Sequence, residues 1–318
     1  MMNTDAPPQS GRLHHLGVLR FTGPDSMSFL QGQVSNDTRR LAENRSLFAA
    51  YSSPQGRVLA LMHLLPHSSG VIAVLPRDLV LPTLEGLRRF VLRAKVRIED
   101  AGEFLSVAGL HDARRLRPDG YTEKDGVGIA GVNRDPNRYW VVGAAEKLAE
   151  QRLDGDVLQA DQIEHDWRLA DIRAGLPQIY LSTREAYVAQ MLNLDLLDGI
   201  SFSKGCYTGQ EIIARTQHLG RIKRRLYRLQ LPSGEWHIGQ PLRLSDGRAG
   251  RLIEVIRSGG GFEALAVLNV AANAAESAAD APIAADLSIA ANLPIAADLP
   301  LAADAPIKAA ALPLPYEL

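Results

Sequence analysis

Apolar residues in the N-terminal third of the chain fall into short runs that strands favour, separated by one stretch with helical spacing. Strands are predicted at residues 18–22, 47–51, 58–65, 71–75 and 96–100. The helical stretch is 77–92, where leucines and a valine recur every three or four positions. A shorter helix is expected between a cap at Asp25 or Ser26 and Gly32. The motif Pro54-Gln55-Gly56-Arg57 predicts a hairpin turn between the second and third strands.

The middle of the chain continues this mixture. Strands are predicted at 105–108 and 139–142, helices at 144–152 and 161–174, and a Gly-rich polar stretch lies at 120–131. Strands and helices follow one another without the regular alternation of a parallel sheet, which predicts an α+β fold with antiparallel sheets. Trp167 lies near the centre of the last helix. It is either a core residue or a stacking surface for a flat heteroaromatic ligand.

The pattern changes after residue 225. Short strands are predicted at 227–231, 242–244, 250–256 and 264–268, and their spacing predicts a small β-barrel. Residues 271–306 then repeat a six-residue unit of the type Asp-Leu-Pro-Ile-Ala-Ala. This tract is either a β-solenoid or a low-complexity insert, and the insert is favoured because its repeated prolines interrupt strand ladders. Residues 312–318 are expected to form a final strand and a docked tail.

Composition narrows the class of protein. The chain has 318 residues, of which 46% are hydrophobic and 22% charged, as expected for a globular protein of two or three domains. Its net charge of −1 gives no overall electrostatic attraction to nucleic acid or to an anionic membrane. The histidines at 14, 15, 63 and 67 lack the spacing of metal ligands and are interpreted as surface or core residues. Neither a secretory signal nor a membrane-spanning run is apparent, so a cytoplasmic location is expected.

The single cysteine, Cys206, lies in an octet that runs from Lys204 to Glu211, with the sequence Lys-Gly-Cys-Tyr-Thr-Gly-Gln-Glu. One cysteine excludes an intrachain disulfide and a cluster held by several cysteines of this chain. A lone cysteine is often a small buried hydrophobe, but a segment with almost no aliphatic residues is not typical of a core. A nearby lysine favours the thiolate, and so does a helix N-terminus if Glu211 begins a helix. The octet is therefore the candidate reactive site.

The octet with its flanks, from Ile200 through Ala214-Arg215 to Gly220, resembles the signature of the YgfZ family. This family is the folate-binding branch of the glycine cleavage T-protein superfamily and includes mitochondrial iron–sulfur cluster assembly factors. Further stretches resemble family blocks and extend the resemblance over most of residues 12–270. They are residues 23–25 with 29–37, 54–57, 171–177 and 190–194, together with the closing Leu-Pro-Tyr.

The resemblance implies an architecture and a role. Residues 12–222 would form two α+β subdomains of T-protein type, and residues 223–318 a β-barrel that contains the hexapeptide tract as an insert. The three parts would surround a hole of tetrahydrofolate size. The implied role is that of a monomeric, folate-binding accessory protein, which supports assembly or repair of [4Fe–4S] clusters in client enzymes or cluster carriers. Effects on tRNA modification would follow indirectly.

The resemblance also implies residue roles. Cys206 would be the reactive or cluster-contacting thiol, and Lys204 would favour its thiolate and hold an anionic group. Gly205 and Gly209 would shape the loop. The residues that would position folate or a partner are Tyr207, Gln210, Glu211 and Arg215. Trp167 matches a family position that meets folate.

The chain departs from the aminomethyltransferases of the superfamily at three places. Those enzymes carry an acidic catalytic residue on the strand after the Pro-x-Gly turn, whereas residues 58–64 contain no carboxylate. They place a folate-contacting Glu where this chain has Arg173, which becomes a folate candidate itself. Leu16 stands where relatives often have an aromatic residue near the folate. The first two differences argue against methylene transfer to folate. A folate-dependent one-carbon transferase is therefore the alternative function and not the leading one. The third difference concerns the affinity for folate.

A direct RNA-binding module is a third interpretation. The cations at 221, 223, 224 and 225 form a basic run. Such a run is usually a solvated face, and no interleaved aromatic residues accompany it. Direct nucleic-acid binding is therefore not expected.

Overall fold

Three antiparallel five-stranded sheets form the framework of the protein in the computed structural model. The structure describes residues 9–112, 120–133, 135–153, 160–218, 222–270 and 306–318. The strands are β1 (Gln9–Arg12), β2 (Leu16–Thr22), β3 (Leu47–Ser52), β4 (Val58–His67), β5 (Gly70–Pro76), β6 (Arg97–Asp100), β7 (Ser106–His111), β8 (Tyr121–Lys124), β9 (Val127–Val132), β10 (Asp135–Gly143), β11 (Arg224–Leu231), β12 (Pro241–Arg243), β13 (Ala249–Ser258), β14 (Gly261–Asn269) and β15 (Ala310–Leu312). The helices are α1 (Ser26–Gln31), α2 (Val80–Arg88), α3 (Ala145–Glu150), α4 (Ala160–Ala174) and α5 (Gln210–His218). This content confirms the predicted α+β class with antiparallel sheets.

The first sheet has the strand order β3-β4-β5-β2-β6 and contains the strands predicted in the N-terminal third of the chain. The predicted hairpin between β3 and β4 is present. Ser53 donates its N–H to the carbonyl of Arg57 at 2.8 Å. Gly56 takes a φ of 71° in this turn, a left-handed conformation that glycine adopts without strain. The turn therefore forms where the Pro-Gln-Gly-Arg motif predicts it.

The helix predicted at 77–92 is shorter in the structure. A 3₁₀ turn at Arg77–Leu79 precedes α2, and the helix ends at Arg88. Arg88 Nη2 donates to the carbonyl of Ile98 at 2.9 Å, which ties the helix end to β6. Val91 still packs against the core, whereas Leu92 is 85% exposed. The apolar spacing beyond Arg88 thus reflects an irregular segment that touches the core, not a further helical turn.

The second sheet has the order β1-β7-β10-β9-β8, and it contains a hairpin that sequence analysis missed. The stretch read as Gly-rich and polar forms β8 and β9, with Lys124 opposite Val127. The two residues between them, Asp125 and Gly126, have φ values of 53° and 78°. Positive φ at both central positions defines the type I′ turn, which Asp-Gly favours. The Asp-Gly pair was the signal that could have revealed this hairpin.

Helix α4 packs against the second sheet over glycines. A Cβ at Gly109 of β7 would lie 2.3 Å from the Trp167 ring. A Cβ at Gly11 of β1 would lie 2.5 Å from Ile163. Because these positions carry no side chain, the helix approaches the strands closely enough to bury Trp167.

The third sheet has the order β12-β13-β14-β11-β15. A bridge between Leu244 and Ile307 brings the segment after β12 next to the segment before β15. A closed barrel remains a prediction beyond this bridge. A final strand is present as β15, but it ends at Leu312, where the prediction began. The tail after it is docked: the Tyr316 hydroxyl donates to the carbonyl of Gly175 at 2.9 Å. Residues 271–305 of the hexapeptide tract lie outside the described residues.

The largest apolar core joins the first two sheets, α4 and the face of the third sheet that carries Leu226 and Val267. A smaller core, which includes Leu229 and Leu252, lies on the opposite side of the third sheet. The third sheet is therefore packed on both faces. Among the helices that the structure describes, none combines the length and apolar character needed to cross a membrane.

Candidate functional site

The loop that carries Cys206 lies against the first of the sequence blocks, residues 29–37. Ser201 donates its N–H to the carbonyl of Ser35 at 2.9 Å, and Thr208 donates to the carbonyl of Gly32 at 3.3 Å. In the opposite direction, the buried Ser35 hydroxyl donates to the carbonyl of Gly199 at 2.6 Å. Two segments more than 160 residues apart are thus joined by hydrogen bonds in both directions.

Lys204 is the anchor of this loop. Its Nζ donates to the carbonyl oxygens of Gln31 at 2.7 Å, Val34 at 2.7 Å and Asn36 at 2.9 Å. The ammonium also lies 4.8 Å from the centre of the Tyr207 ring. Burial lowers the pKa of Lys204 to about 8. An ammonium has three hydrogens, and all three are used by these carbonyls.

This geometry corrects one part of the predicted role of Lys204, that its ammonium holds an anionic group. The other part, that it favours the thiolate of Cys206, stays a prediction. The three hydrogens of the ammonium point into the loop at 31–36, and none is left for an anion. The sequence could not reveal this, because a long lysine side chain reaches whatever the tertiary fold places within its length.

Cys206 itself is exposed, and it lies four residues before α5. The expectation that it occupies a loop just before a helix N-terminus is confirmed, although the helix begins at Gln210 and not at Glu211. Within the described part of the chain, no three His, Cys, Asp or Glu residues are grouped closely enough to hold a metal ion. The thiol is therefore open to solvent and to a partner.

The second sequence block, the turn at 54–57, packs against the end of the octet. Gly209 has a φ of 81°, and a Cβ there would lie 2.6 Å from the carbonyl oxygen of Ser53. A Cβ on Gly56 would lie 2.8 Å from Ile212 of α5. Gly205, in contrast, faces open space. Of the two glycines that bracket the cysteine, Gly209 is the one whose missing side chain the fold requires.

The remaining octet candidates separate into a buried and an exposed set. Tyr207 is buried beneath the Lys204 ammonium, and burial raises the pKa of its hydroxyl to about 12. Gln210 is half-buried at the start of α5. Glu211 and Arg215, one helical turn apart, are exposed. Their predicted contacts with folate or a partner stay predictions.

The two candidates on α4 lie elsewhere. Arg173 Nη2 pairs with the carboxylate of Glu263 on β14 at 2.7 Å and so holds α4 against the third sheet. Trp167 is buried, and Arg138 and Trp140 lie 4.7 Å and 4.9 Å from its ring. Among the contacts of the described residues, neither residue touches the Cys206 loop. The structure favours core packing over an open stacking surface for Trp167, and the folate contacts of both residues stay predictions.

Trp167 is the last ring of an aromatic row that crosses between the first two sheets. Phe48 stacks on His63 at 4.7 Å, His63 lies 4.8 Å from Trp140, and Trp140 contacts Trp167. Three buried N–H groups along this row have no hydrogen-bond partner among the described residues: Nε1 of Trp140, Nε1 of Trp167 and Nη2 of Arg138. Orphaned buried donors are uncommon and suit a polar ligand that supplies acceptors.

A small cleft opens beside the other end of the row. Its polar and aromatic lining residues are Asn36, Arg40, Ser46, Phe48, His63, Asn133 and Asp198. Asn36 connects the cleft to the octet, because its side chain lines the cleft while its carbonyl accepts from Lys204.

The cleft has an uncharged aromatic wall beside a charged edge. Burial and the nearby Arg138 lower the pKa of His63 to about 3, so its ring is neutral at physiological pH and forms an uncharged wall with Phe48. Arg40 pairs with Asp198 at 2.8 Å at the same cleft and provides a charged edge. Sequence analysis missed these residues and interpreted His63 as a scattered histidine. The only possible signal was the pairing of Phe48 with His63, which depends on strand register.

Comparisons with known proteins agree with this architecture. No protein-family model matches the chain. The structure is similar to the glycine cleavage system aminomethyltransferase T from Bartonella henselae, with a TM-score of 0.54 and 13% identity over 84% of this chain and 79% of that one. The likeness establishes the fold, which is that of aminomethyltransferase T, as the resemblance implied.

Sequence relatives establish the family. The tRNA-modifying protein YgfZ of Hamiltonella defensa is 29% identical over 76% of this chain and 73% of its own length. The protein of the same name from Colwellia psychrerythraea is 30% identical over 68% of this chain and 69% of its own length. The one from Cronobacter sakazakii is 32% identical with the same coverage. The chain therefore belongs to the YgfZ family.

Proposed function

We propose that this protein is a folate-binding accessory protein that supports assembly or repair of [4Fe–4S] clusters and thereby affects tRNA modification. The observation that carries the proposal is the site of Cys206. The only thiol of the chain is exposed on a loop that Lys204, Ser35 and Gly209 fix in place. An accessible thiol on a fixed loop suits transient contact with iron, with a cluster or with a second protein.

Folate is the proposed cofactor, and the cleft beside the aromatic row is its proposed site. The neutral wall of His63 and Phe48 would contact the pterin, and Asn133 and Arg40 would meet its polar edges. Folate would supply a one-carbon carrier or a structural ligand at this place. The same proposal includes the predicted contacts with folate or a partner of Trp167, Arg173, Tyr207, Gln210, Glu211 and Arg215.

The alternative is a folate-dependent one-carbon transferase, which the fold of aminomethyltransferase T favours. Against it, the strand after the Pro-x-Gly turn, β4, carries no carboxylate between Val58 and His67. A transferase of that type needs an acidic group there, as the family resemblance implies. Purified protein incubated with tetrahydrofolate and a methylated amine should therefore form no methylenetetrahydrofolate, and turnover would favour the alternative.

The thiol role is tested by replacing Cys206 with Ala in cells that lack their own YgfZ protein. The wild-type chain should restore a [4Fe–4S] enzyme activity and the tRNA modification that depends on it. Cys206→Ala should fold normally and restore neither. The matched control is Ser203→Ala, a change at an exposed position on the same loop, which should complement fully. Full complementation by Cys206→Ala would refute the role of the thiol.

The folate role is tested separately with purified protein. Tetrahydrofolate should change the tryptophan fluorescence, because Trp140 contacts His63 at the wall of the cleft. His63→Ala should weaken binding, while His14→Ala, a change at an exposed histidine, should not. The proposal also includes a cytoplasmic location, a monomeric state, and cluster enzymes or cluster carriers as partners. Absence of any folate binding would leave the thiol role standing and remove the cofactor.

A further inference from the structure

The segment that joins α2 to β6 concentrates positive charge on a chain whose net charge is −1. From residue 86 to residue 98 the sequence contains five cations and no carboxylate. The cations are Arg88, Arg89, Arg93, Lys95 and Arg97, and all five residues are exposed. Among the described residues, Arg97 is the only one of the five with an ion pair, to Glu99 at 2.9 Å. Residues 88–97 are called the basic segment below.

The basic segment also presents two large apolar side chains to solvent. Leu92 is 85% exposed and Phe90 is 42% exposed. The other apolar side chains between the cations, those of Val91, Ala94 and Val96, pack against the core. The segment is therefore held to the protein by one set of apolar side chains and exposes another. Exposed apolar side chains with a charged rim are typical of a protein–protein interaction site.

Hydrogen bonds hold the basic segment at both ends. Arg88 Nη2 donates to the carbonyl of Ile98 at 2.9 Å. Lys95 donates its N–H to the carboxylate of Asp25 at 2.7 Å, and Asp25 donates its N–H to the carbonyl of Lys95 at 3.4 Å. A surface that is already fixed loses little conformational entropy when a partner binds.

Helix α1 connects the basic segment to the Cys206 loop. Asp25, which binds the basic segment, directly precedes α1, and Gln31 at the other end of α1 accepts from Lys204 at 2.7 Å. A helix of six residues is about 9 Å long. Met27 of α1 is 37% exposed, so further apolar surface lies between the two. A partner protein that covers the basic segment is therefore within reach of the thiol.

We propose that the basic segment is the docking surface for a protein with an acidic face, namely the cluster enzyme or cluster carrier that the thiol serves. This inference rests on the proposed function, because it describes the partner of the same thiol. The cations attract an acidic face and speed the encounter. Burial of Phe90 and Leu92 adds the apolar contribution to affinity that charge complementarity alone does not supply.

Two other occupants fit this surface less well. The phosphate backbone of a nucleic acid would pair with the cations, but it offers no apolar surface to Leu92, and a single phenylalanine is not a stacking platform. An anionic membrane would accept both kinds of side chain. However, Phe90 and Leu92 together bury less apolar surface than one acyl chain, and one acyl chain alone binds membranes only marginally.

The test places a photoreactive residue on the surface in living cells. With p-benzoylphenylalanine in place of Leu92, irradiation should join this chain to an acidic protein that mass spectrometry identifies as one that carries or transfers a [4Fe–4S] cluster. The same replacement at Leu181, which is 58% exposed on the 3₁₀ turn at 181–183, should not give this adduct. Adding Arg89→Glu/Arg93→Glu should reduce the adduct at least tenfold, because like charges facing each other across an interface are unfavourable.

Complementation of cells that lack their own YgfZ protein measures the consequence. Arg89→Glu/Arg93→Glu and Leu92→Ser should each lose restoration of the [4Fe–4S] enzyme activity. The purified variants should keep the wild-type melting temperature and react with uncharged iodoacetamide at the wild-type rate. The matched control is Lys124→Glu/Arg243→Glu, at two exposed cations outside the basic segment, which should complement fully. If the wild-type chain itself does not complement, the proposed function fails, and the crosslink alone decides on the docking surface.

Several results would overturn the docking surface. They are the absence of a protein adduct at position 92, an adduct with a second copy of this chain, and full complementation by Arg89→Glu/Arg93→Glu. Gel retardation with total tRNA and flotation with phosphatidylglycerol vesicles test the other occupants. Wild-type binding in either assay that the charge-reversed variant loses would assign the surface to RNA or to membrane and refute a protein partner.

Discussion

The ammonium of Lys204 donates a 2.7 Å hydrogen bond to the carbonyl oxygen of Val34, and this contact fixes the position of the loop that carries the single thiol. Two further carbonyls, of Gln31 and Asn36, complete the coordination. Without the lysine, three backbone acceptors in a buried region would lose their donor at the same time.

Lys204→Met should therefore destabilise the protein by about 3 kcal/mol, because it leaves buried carbonyls without a partner. Urea unfolding followed by circular dichroism measures this loss. Lys124→Met, at an exposed lysine at the end of β8, should change stability by less than about 0.5 kcal/mol. Equal effects of the two substitutions would contradict the anchoring role.

The two glycines beside Cys206 should respond differently to alanine. Gly209→Ala places a Cβ 2.6 Å from the Ser53 carbonyl at a φ of 81°, and it should cost about 2–4 kcal/mol. Gly205→Ala meets open space and should be nearly neutral. Thermal unfolding of the two variants gives the comparison. A stable Gly209→Ala variant would mean that the turn at 54–57 does not press against the octet.

His63 should make stability depend on pH. Its folded-state pKa of about 3 is below the usual 6.5. Between these two pH values His63 is protonated in the unfolded chain and neutral in the folded protein. Stability due to the neutral ring is present above pH 6.5 and is lost as the pH falls. Between pH 7 and pH 5 this loss should reach about 2 kcal/mol.

His63→Phe keeps an aromatic ring in the row and removes the titration. Urea unfolding at pH 7, 6 and 5 should therefore show a flatter profile for this variant than for wild type. His14→Gln, at an exposed histidine, should keep the wild-type profile. Parallel profiles for wild type and His63→Phe would show that His63 does not titrate in this way.

The thiol of Cys206 should react in the native protein. Because it is exposed and is the only cysteine, one equivalent of a disulfide reagent such as dithionitrobenzoate should be consumed per chain. The rate should be comparable with that of the unfolded chain. A native protein that reacts only after urea is added would place the sulfur in a protected environment and would remove the basis for a thiol role.

Arg173 and Arg228 allow the predicted folate contact to be separated from a structural one. Both pair with Glu263, so replacing either with Ala should loosen the same carboxylate and lower stability to a similar extent. Under the proposed function only Arg173→Ala should also weaken tetrahydrofolate binding. Equal folate affinities of the two variants would assign Arg173 to the contact between α4 and the third sheet alone.

The local pattern of apolar and polar residues was sufficient to predict the positions of most strands and of the loop that carries Cys206. Alternation and helical spacing record which positions are buried, and burial is a local property of a strand or a helix. For that reason β2 to β5, α4 and the loop before α5 lie close to their predicted positions. The hairpin at Asp125-Gly126 was missed because its turn signal was not weighed against the polarity around it.

The sequence by itself determined the class of fold, the place of the octet and the presence of one thiol without a cysteine partner in its chain. Only the tertiary structure decided which groups Lys204 contacts: it donates hydrogen bonds to the carbonyls of Gln31, Val34 and Asn36. It also decided that Trp167 is buried and that His63 forms the wall of a cleft with Phe48. The physical reason is that contacts between distant segments depend on strand register and on the docking of loops. Neither leaves a periodic trace in the order of residues, because the partners of a long or aromatic side chain are set by the whole fold.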